Sequence, residues 1–188
     1  MNIYKYSHII VFLLLVNLIF SNSINYYNQI QEKLILAQPG DTIFLPDGKI
    51  DLNRSLWADN LKNVIITGYG MDNTIISFKN QIEGAEGLKI TNSSKIILKD
   101  FTIQNTKGDL IKAEDVSNIS FINIKCEWTG RPKRSNGGYG LYPVKSSNIL
   151  IDNCIAIGAS DAGIYVGQSR NIIVRNSEVY HNVAGIEI

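Results

Sequence analysis

The sequence predicts an all-β chain: a right-handed, single-stranded parallel β-helix with three short strands and about 23 residues per coil, closed at its start by a short helix. Three observations predict it. Segments recur at a near-constant spacing, each copy alternates apolar and polar residues with period two, and Asn or Asp recurs at the same corner positions.

The recurring segments are KIILKDFTIQ from Lys95, NISFINIKCE from Asn118, NILIDNCIAI from Asn148 and NIIVRNSEVY from Asn171. Their spacings are 118 − 95 = 23, 148 − 118 = 30 and 171 − 148 = 23. The longer interval holds a Gly- and Arg-containing stretch from Gly130 to Gly138, which reads as a loop insertion. An earlier copy, NVIITG, begins at Asn63 and carries an insertion around GYGMDNT.

Counting from that Asn or Lys as zero, positions +1 and +3 are apolar in all five copies: Val64 and Ile66, Ile96 and Leu98, Ile119 and Phe121, Ile149 and Ile151, Ile172 and Val174. Positions +6 and +8 repeat the pattern with Phe101 and Ile103, Ile124 and Cys126, Cys154 and Ala156, Ser177 and Val179. A third strand lies at −7 and −5, from Leu56 and Ala58 to Ile164 and Val166. Period-two alternation means that one strand face is buried. One coil cannot bury that face alone, whereas coils stacked about 4.8 Å apart bury a continuous apolar column. Such crossovers are right-handed. At position zero (Asn63, Lys95, Asn118, Asn148, Asn171) and at +5 (Asp100, Asn123, Asn153, Asn176), Asn and Asp suit the left-handed backbone of a sharp corner. Stacked amides there can form hydrogen-bonded ladders.

Residues 1–23 read as a signal peptide: Lys5 with the amino terminus, an apolar run from Ile9 to Phe20, and small residues Ser21 and Ser23 before the cut. Residues 24–188 form the β-helix domain. Ile30, Leu34 and Ala37 fall at helical spacing before Pro39-Gly40, so a short helix is expected to lid the stack, with GDTIFLP as the first strand. The chain ends in the third-strand pattern of a new coil, so the domain is expected to be truncated at its C-terminal end. The protein is expected to be secreted or periplasmic, with no membrane contact after signal cleavage. A net charge of +1 gives no reason to expect nucleic acid. Cys126 and Cys154, one coil apart and out of register, are expected to be separate buried thiols.

The segments PGDTIFLPDGKIDL, GYGMDNTIISF and GASDAGIYVGQSRNIIVRNSEVYHNVAGIEI are similar to a family of bacterial secreted parallel β-helix repeat proteins. The wider group that the chain resembles includes pectate and alginate lyases, alginate C5-epimerases and a periplasmic copper-site maturation protein. The Asp-Pro-His signature expected of the epimerases is absent, so the resemblance implies the fold and carries over no catalytic residue.

Candidate chemistry lies at position −6, between the two inward residues of the third strand and therefore outward. It reads Trp57, Lys89, Lys112, Tyr142, Tyr165 and Glu187, an aromatic and basic ladder along the solenoid. Flat aromatic faces bind sugar rings and lysines pair with uronate carboxylates. An ordinary solvated sheet face would show the same residue types. The loop EWTGRPKRSNGGYG enters just before this strand and is expected to hang Trp128, Arg131, Lys133 and Arg134 over the ladder. Asp109 and Asp161 sit at the corner entering it, as turn residues or as part of a site. An enzyme acting on a uronate needs a base and a cation. Lys112, Tyr142 or Tyr165 is the candidate base and Arg134 its cationic partner. No metal site is expected and no cofactor is required, with a bound calcium left open. The expected ligand is an acidic polysaccharide, bound or modified in the manner of a lyase or epimerase. The alternative is a non-catalytic β-helix that docks a protein partner or assists cofactor assembly. A groove flanked by loops favours the glycan; a smooth ladder favours the partner.

Overall fold

The computed structural model describes residues 25–130 and 132–188, so the signal-peptide expectation and Arg131 lie outside the described residues. Helix α1 spans 25–36. Sixteen strands follow: β1 (Thr42–Phe44), β2 (Gly48–Asp51), β3 (Arg54–Asp59), β4 (Lys62–Thr67), β5 (Thr74–Ser77), β6 (Glu83–Thr91), β7 (Ser94–Gln104), β8 (Ile111–Glu114), β9 (Ser117–Glu127), β10 (Leu141–Val144), β11 (Ser147–Asp152), β12 (Ile155–Ile157), β13 (Ala162–Tyr165), β14 (Arg170–Arg175), β15 (Glu178–Tyr180) and β16 (Ala184–Glu187).

All named strand pairs are parallel, and each strand pairs with its counterpart in the neighbouring coil. One face runs β3-β6-β8-β10-β13-β16. A second runs β1-β4-β7-β9-β11-β14, and the third, comprising β2, β5, β12 and β15, joins it through β7 and β9. These two strands are longer than the sequence suggests because each bends through a corner and serves two faces. The corner residues Asp100 and Asn123 have φ of 62° and 53°.

The expected register holds. Ile66, Leu98, Phe121, Ile151 and Val174 stand opposite one another in successive coils. All but Val174 are fully buried; Val174 lies in the last complete coil and is half-buried. The corners behave as their residue types require. Asn148 donates its side-chain amide to Asn118 at 3.0 Å, and Asn171 donates to Asn148 at 2.9 Å. A second ladder runs from Asn153 to Asn123 to Asp100 at 3.2 and 2.7 Å. A third left-handed column, at position −3, comprises Asn60, Asn92, Asp115, Lys145 and Gln168.

Helix α1 seats Ile30 and Leu34 on the first coil. It also covers an edge. Among the described residues β3 has no strand neighbour on its outer side, and the Gln31 amide takes that place: Nε2 donates to the Trp57 carbonyl at 2.7 Å, and Oε1 accepts the Trp57 N–H at 3.0 Å. An unpaired edge is a template for aggregation, and a side-chain amide blunts it. Among the described residues no helix is long and apolar enough to cross a membrane. Both cysteines are buried and unbridged, with Cys126 opposite Ala156 and hence two residues out of register with Cys154.

Candidate functional site

The −6 ladder is real. Trp57, Lys89, Lys112 and Tyr142 are direct partners across β3, β6, β8 and β10. Tyr165 follows, one residue past the Leu141–Ile164 pair, and Glu187 lies opposite Tyr165 on β16. Each stands on the outer face of a strand whose flanking residues point inward, which is why one strip collects them.

The middle of the strip is aromatic and basic at once. The Tyr142 and Tyr165 rings stack with centroids 5.3 Å apart and planes 20° apart. Tyr139, the last residue before Gly140 and β10, sits 4.7 Å from both. The Lys112 ammonium lies 5.2 Å from the Tyr142 centroid, within cation–π range. Glu114, two residues along β8 and on the same face, gathers three lysines: Lys89 at 3.7 Å, Lys112 at 3.6 Å and Lys145 at 3.2 Å. Sequence reasoning missed Tyr139, Glu114 and Lys145. A signal existed for Glu114, because position −4 must point outward wherever −6 does. None existed for Tyr139, which sits in the aperiodic insertion.

The insertion corrects one expectation. Trp128 does not overhang the ladder. It is 4% exposed, and its indole N–H donates to the Thr106 carbonyl at 2.9 Å. Gly137 packs against it so closely that a Cβ there would fall 2.8 Å from the ring and would collide with the Gly108 carbonyl. A large apolar ring at the root of a loop is worth more buried than displayed, so Trp128 anchors the loop and Tyr139 reaches the ladder in its stead. Lys133 and Arg134 are exposed, and neither forms an ion pair among the described residues. The cation set against Tyr142 is Lys112, not Arg134.

Electrostatics sorts the candidate bases. Burial raises Tyr142, and burial together with the Asp161 carboxylate pushes Tyr139 up to about 12. Both phenols therefore stay protonated near neutrality and are poor bases. Asp109 behaves differently. Burial lifts it to about 6, although it accepts the Tyr139 N–H at 3.1 Å and lies near Lys112. A carboxyl in that range exchanges protons near neutral pH. Asp109 and Asp161 thus flank Tyr139, one through its backbone and one beside its hydroxyl.

A carboxyl raised in the folded state binds its proton more tightly there. Its contribution to stability is complete below the unfolded value of 3.8 and is lost as pH rises through about 6. Asp109→Asn is therefore expected to stabilise the protein by about 1–2 kcal/mol at about pH 8, discounted for partial exposure, and to change little at about pH 3.5. Urea titrations at the two pH values check this. An equal gain at both would remove the charge as its cause.

The ladder is an open strip rather than an enclosed pocket. A groove of about 540 Å³ lies on a different face, between α1 and β1, where Leu36, Ala37, Ile43 and Phe44 line it. Among the described residues no group of three or more His, Cys, Asp or Glu could hold a metal ion.

Residues 65–188 match the family model for the right-handed beta helix region. The chain belongs to this right-handed β-helix family. It is 27% identical, across 84% of its length, to the pre-neck appendage protein of Bacillus phage B103, and 25% identical, across 74%, to that of Bacillus phage phi29. It spans only 22% and 19% of those relatives. Among solved structures, the β-helix superposes on a candidate glycosyl hydrolase from Parabacteroides merdae with a TM-score of 0.53 and 16% identity, covering 82% of this chain and 85% of that one. At that identity the likeness speaks for the fold alone. The A-module of a mannuronan C-5 epimerase from Azotobacter vinelandii superposes with a TM-score of 0.42 at 17% identity, covering 76% of this chain and 49% of that one.

Proposed function

We propose that this β-helix is an exported polysaccharide-binding protein that holds an acidic glycan along the outward ladder of β3, β6, β8, β10, β13 and β16. The observation that carries the reading is the stack of Tyr139, Tyr142 and Tyr165, continued in register by Lys112 and Lys89. These rings cover one another's faces, so what they offer a pyranose ring is the exposed rim of a rigid aromatic stack, an apolar contact at small entropic cost. Lysines one coil away offer charge to a uronate. The open form of the strip, with no pocket on it, and the phage appendage relatives support a second reading, in which the same face docks a protein partner.

The test is affinity electrophoresis through gels containing polygalacturonate, alginate or neutral dextran. The wild type is expected to be retarded by the acidic polymers. Tyr142→Ala is expected to weaken that retardation roughly 2- to 10-fold, the range carried by one aromatic contact. Lys112→Ala is expected to weaken it too, with little change in melting temperature. Absence of retardation by every polymer overturns the reading and leaves the protein-partner alternative.

A further inference from the structure

Among the described residues Glu114 is the one carboxylate shared by three ladder-side lysines. Lys89 and Lys112 both approach its Oε2, at 3.7 and 3.6 Å, and Lys145 reaches Oε1 at 3.2 Å. The first two separations are longer than a charge-assisted hydrogen bond of about 2.7–2.9 Å. They are attractions through space, and they leave those ammonium donors available. Each ammonium offers three N–H groups, and a single carboxylate cannot satisfy three such centres. The cluster keeps a surplus of positive charge. Other acids lie on both sides: Asp109 reaches Lys112 electrostatically from the tyrosine side, with Glu86 behind it, and Asp59 stands on the β3 side, beyond the Thr91 that pairs with Glu114, where Thr91 and Asn92 donate to its carboxylate. All four members of the cluster retain contact with solvent, Lys145 most of all.

Position matters as much as charge. Lys112 is held between the Glu114 carboxylate and the Tyr142 ring, so the cluster begins where the aromatic stack ends. A chain lying along the solenoid axis with one sugar on Tyr142 and Tyr165 therefore brings its next residues over Lys112 and Lys89. Glu114 stays ionised because its hydrogen bond to Lys145, foremost, and the neighbouring ammonium charges lower its pKa against the effect of burial. It thus stands as a permanent anion among the lysines.

We propose that Lys89, Lys112 and Lys145 form an anion subsite for an oxyanion substituent, carboxylate or sulfate, of the glycan on the ladder, and that Glu114 is its built-in competitor. This rests on the polysaccharide reading and assigns within it the residues that set charge preference. Glu114 holds the lysines in place when no ligand is bound, and it weakens every polyanion by its own charge. Affinity is thereby kept moderate and tied to ionic strength.

The experiment compares the wild type, Glu114→Gln and Lys145→Asn by affinity electrophoresis in polygalacturonate, dextran sulfate and neutral dextran at several salt concentrations. Gln keeps an acceptor for Lys145 and removes only the charge. Asn suits the left-handed backbone at position 145, where φ is 50°. Glu114→Gln is expected to bind both polyanions roughly two- to fivefold more tightly, the range of one exposed charge contact, with a steeper salt dependence and no change on neutral dextran. Lys145→Asn is expected to bind them more weakly. A gain on only one polyanion assigns the subsite to that oxyanion. If the wild type is retarded by polyanions and Glu114→Gln is retarded equally or less, this inference fails while the polysaccharide reading stands. If no variant is retarded by any polymer, both fail. Thermal melting of each variant confirms that binding is compared between folded proteins.

Discussion

Ile151→Asp is expected to abolish folding. Ile151 is 0% exposed and lies in the central column between Phe121 and Val174. The substitution removes about 1.5–3 kcal/mol of apolar burial. It also sets a carboxylate where the neighbouring column side chains are apolar, at a further cost of several kcal/mol. Together these approach the whole stability of a typical domain, about 5–15 kcal/mol. Val174→Asp, one coil on, provides the contrast. Val174 is only half-buried, so an ion there keeps contact with water. Circular dichroism and gel filtration should show an aggregated or unfolded Ile151→Asp and a folded, slightly less stable Val174→Asp. A soluble, β-rich Ile151→Asp of normal melting temperature would mean that the column is not packed as described.

Trp128→Ala is expected to cost about 3–5 kcal/mol, as truncation of a buried aromatic does. It also strands the Thr106 carbonyl that the indole N–H satisfies. The consequence should be local as well as global. With its anchor gone, the loop 129–138 loses the surface on which Gly137 packs, and Tyr139 at its end should lose its place on Tyr142 and Tyr165. Three readings separate the two levels. Melting temperature reports the cavity, and trypsin cleavage after Lys133 or Arg134 reports loop release. Fluorescence reports the ring itself, because the chain has two tryptophans and the other, Trp57, is 49% exposed. Loss of Trp128 should leave a single red-shifted emission. A variant with wild-type melting, unchanged trypsin resistance and retained blue emission would place Trp128 outside the core.

The first prediction follows from how one element repeats and the second from an interruption of that repeat. In the solenoid each residue is judged by its position within the coil and by how fully the neighbouring coils cover it. Ile151 and Val174 occupy the same position and differ only in the second respect. Trp128 belongs to no column, and its importance comes from the loop it anchors.

The local pattern determined the fold, its register and two of its three corners. Val64, Ile96, Ile119, Ile149 and Ile172 announce a column because side-chain direction alternates strictly along a strand, so a period-two pattern repeated each coil has one packing solution. Asn63, Asn118, Asn148 and Asn171 announce a corner because few residues other than Gly accept positive φ cheaply. The third corner escaped notice for the same reason in reverse. Lys145 and Gln168 adopt left-handed backbone without belonging to the residue types that signal it, since stacking between neighbouring coils outweighs their local preference. The outward ladder from Trp57 to Glu187 was legible because it follows from the inward one. What gathers on that ladder was not. Tyr139 comes from an insertion without period. Lys145 lies 31 residues from Glu114, and Trp128 lies 22 from Thr106. Burial of Trp128 and convergence of three lysines on one carboxylate are set by contacts across coils and by the loop's path, so only the tertiary structure decided them.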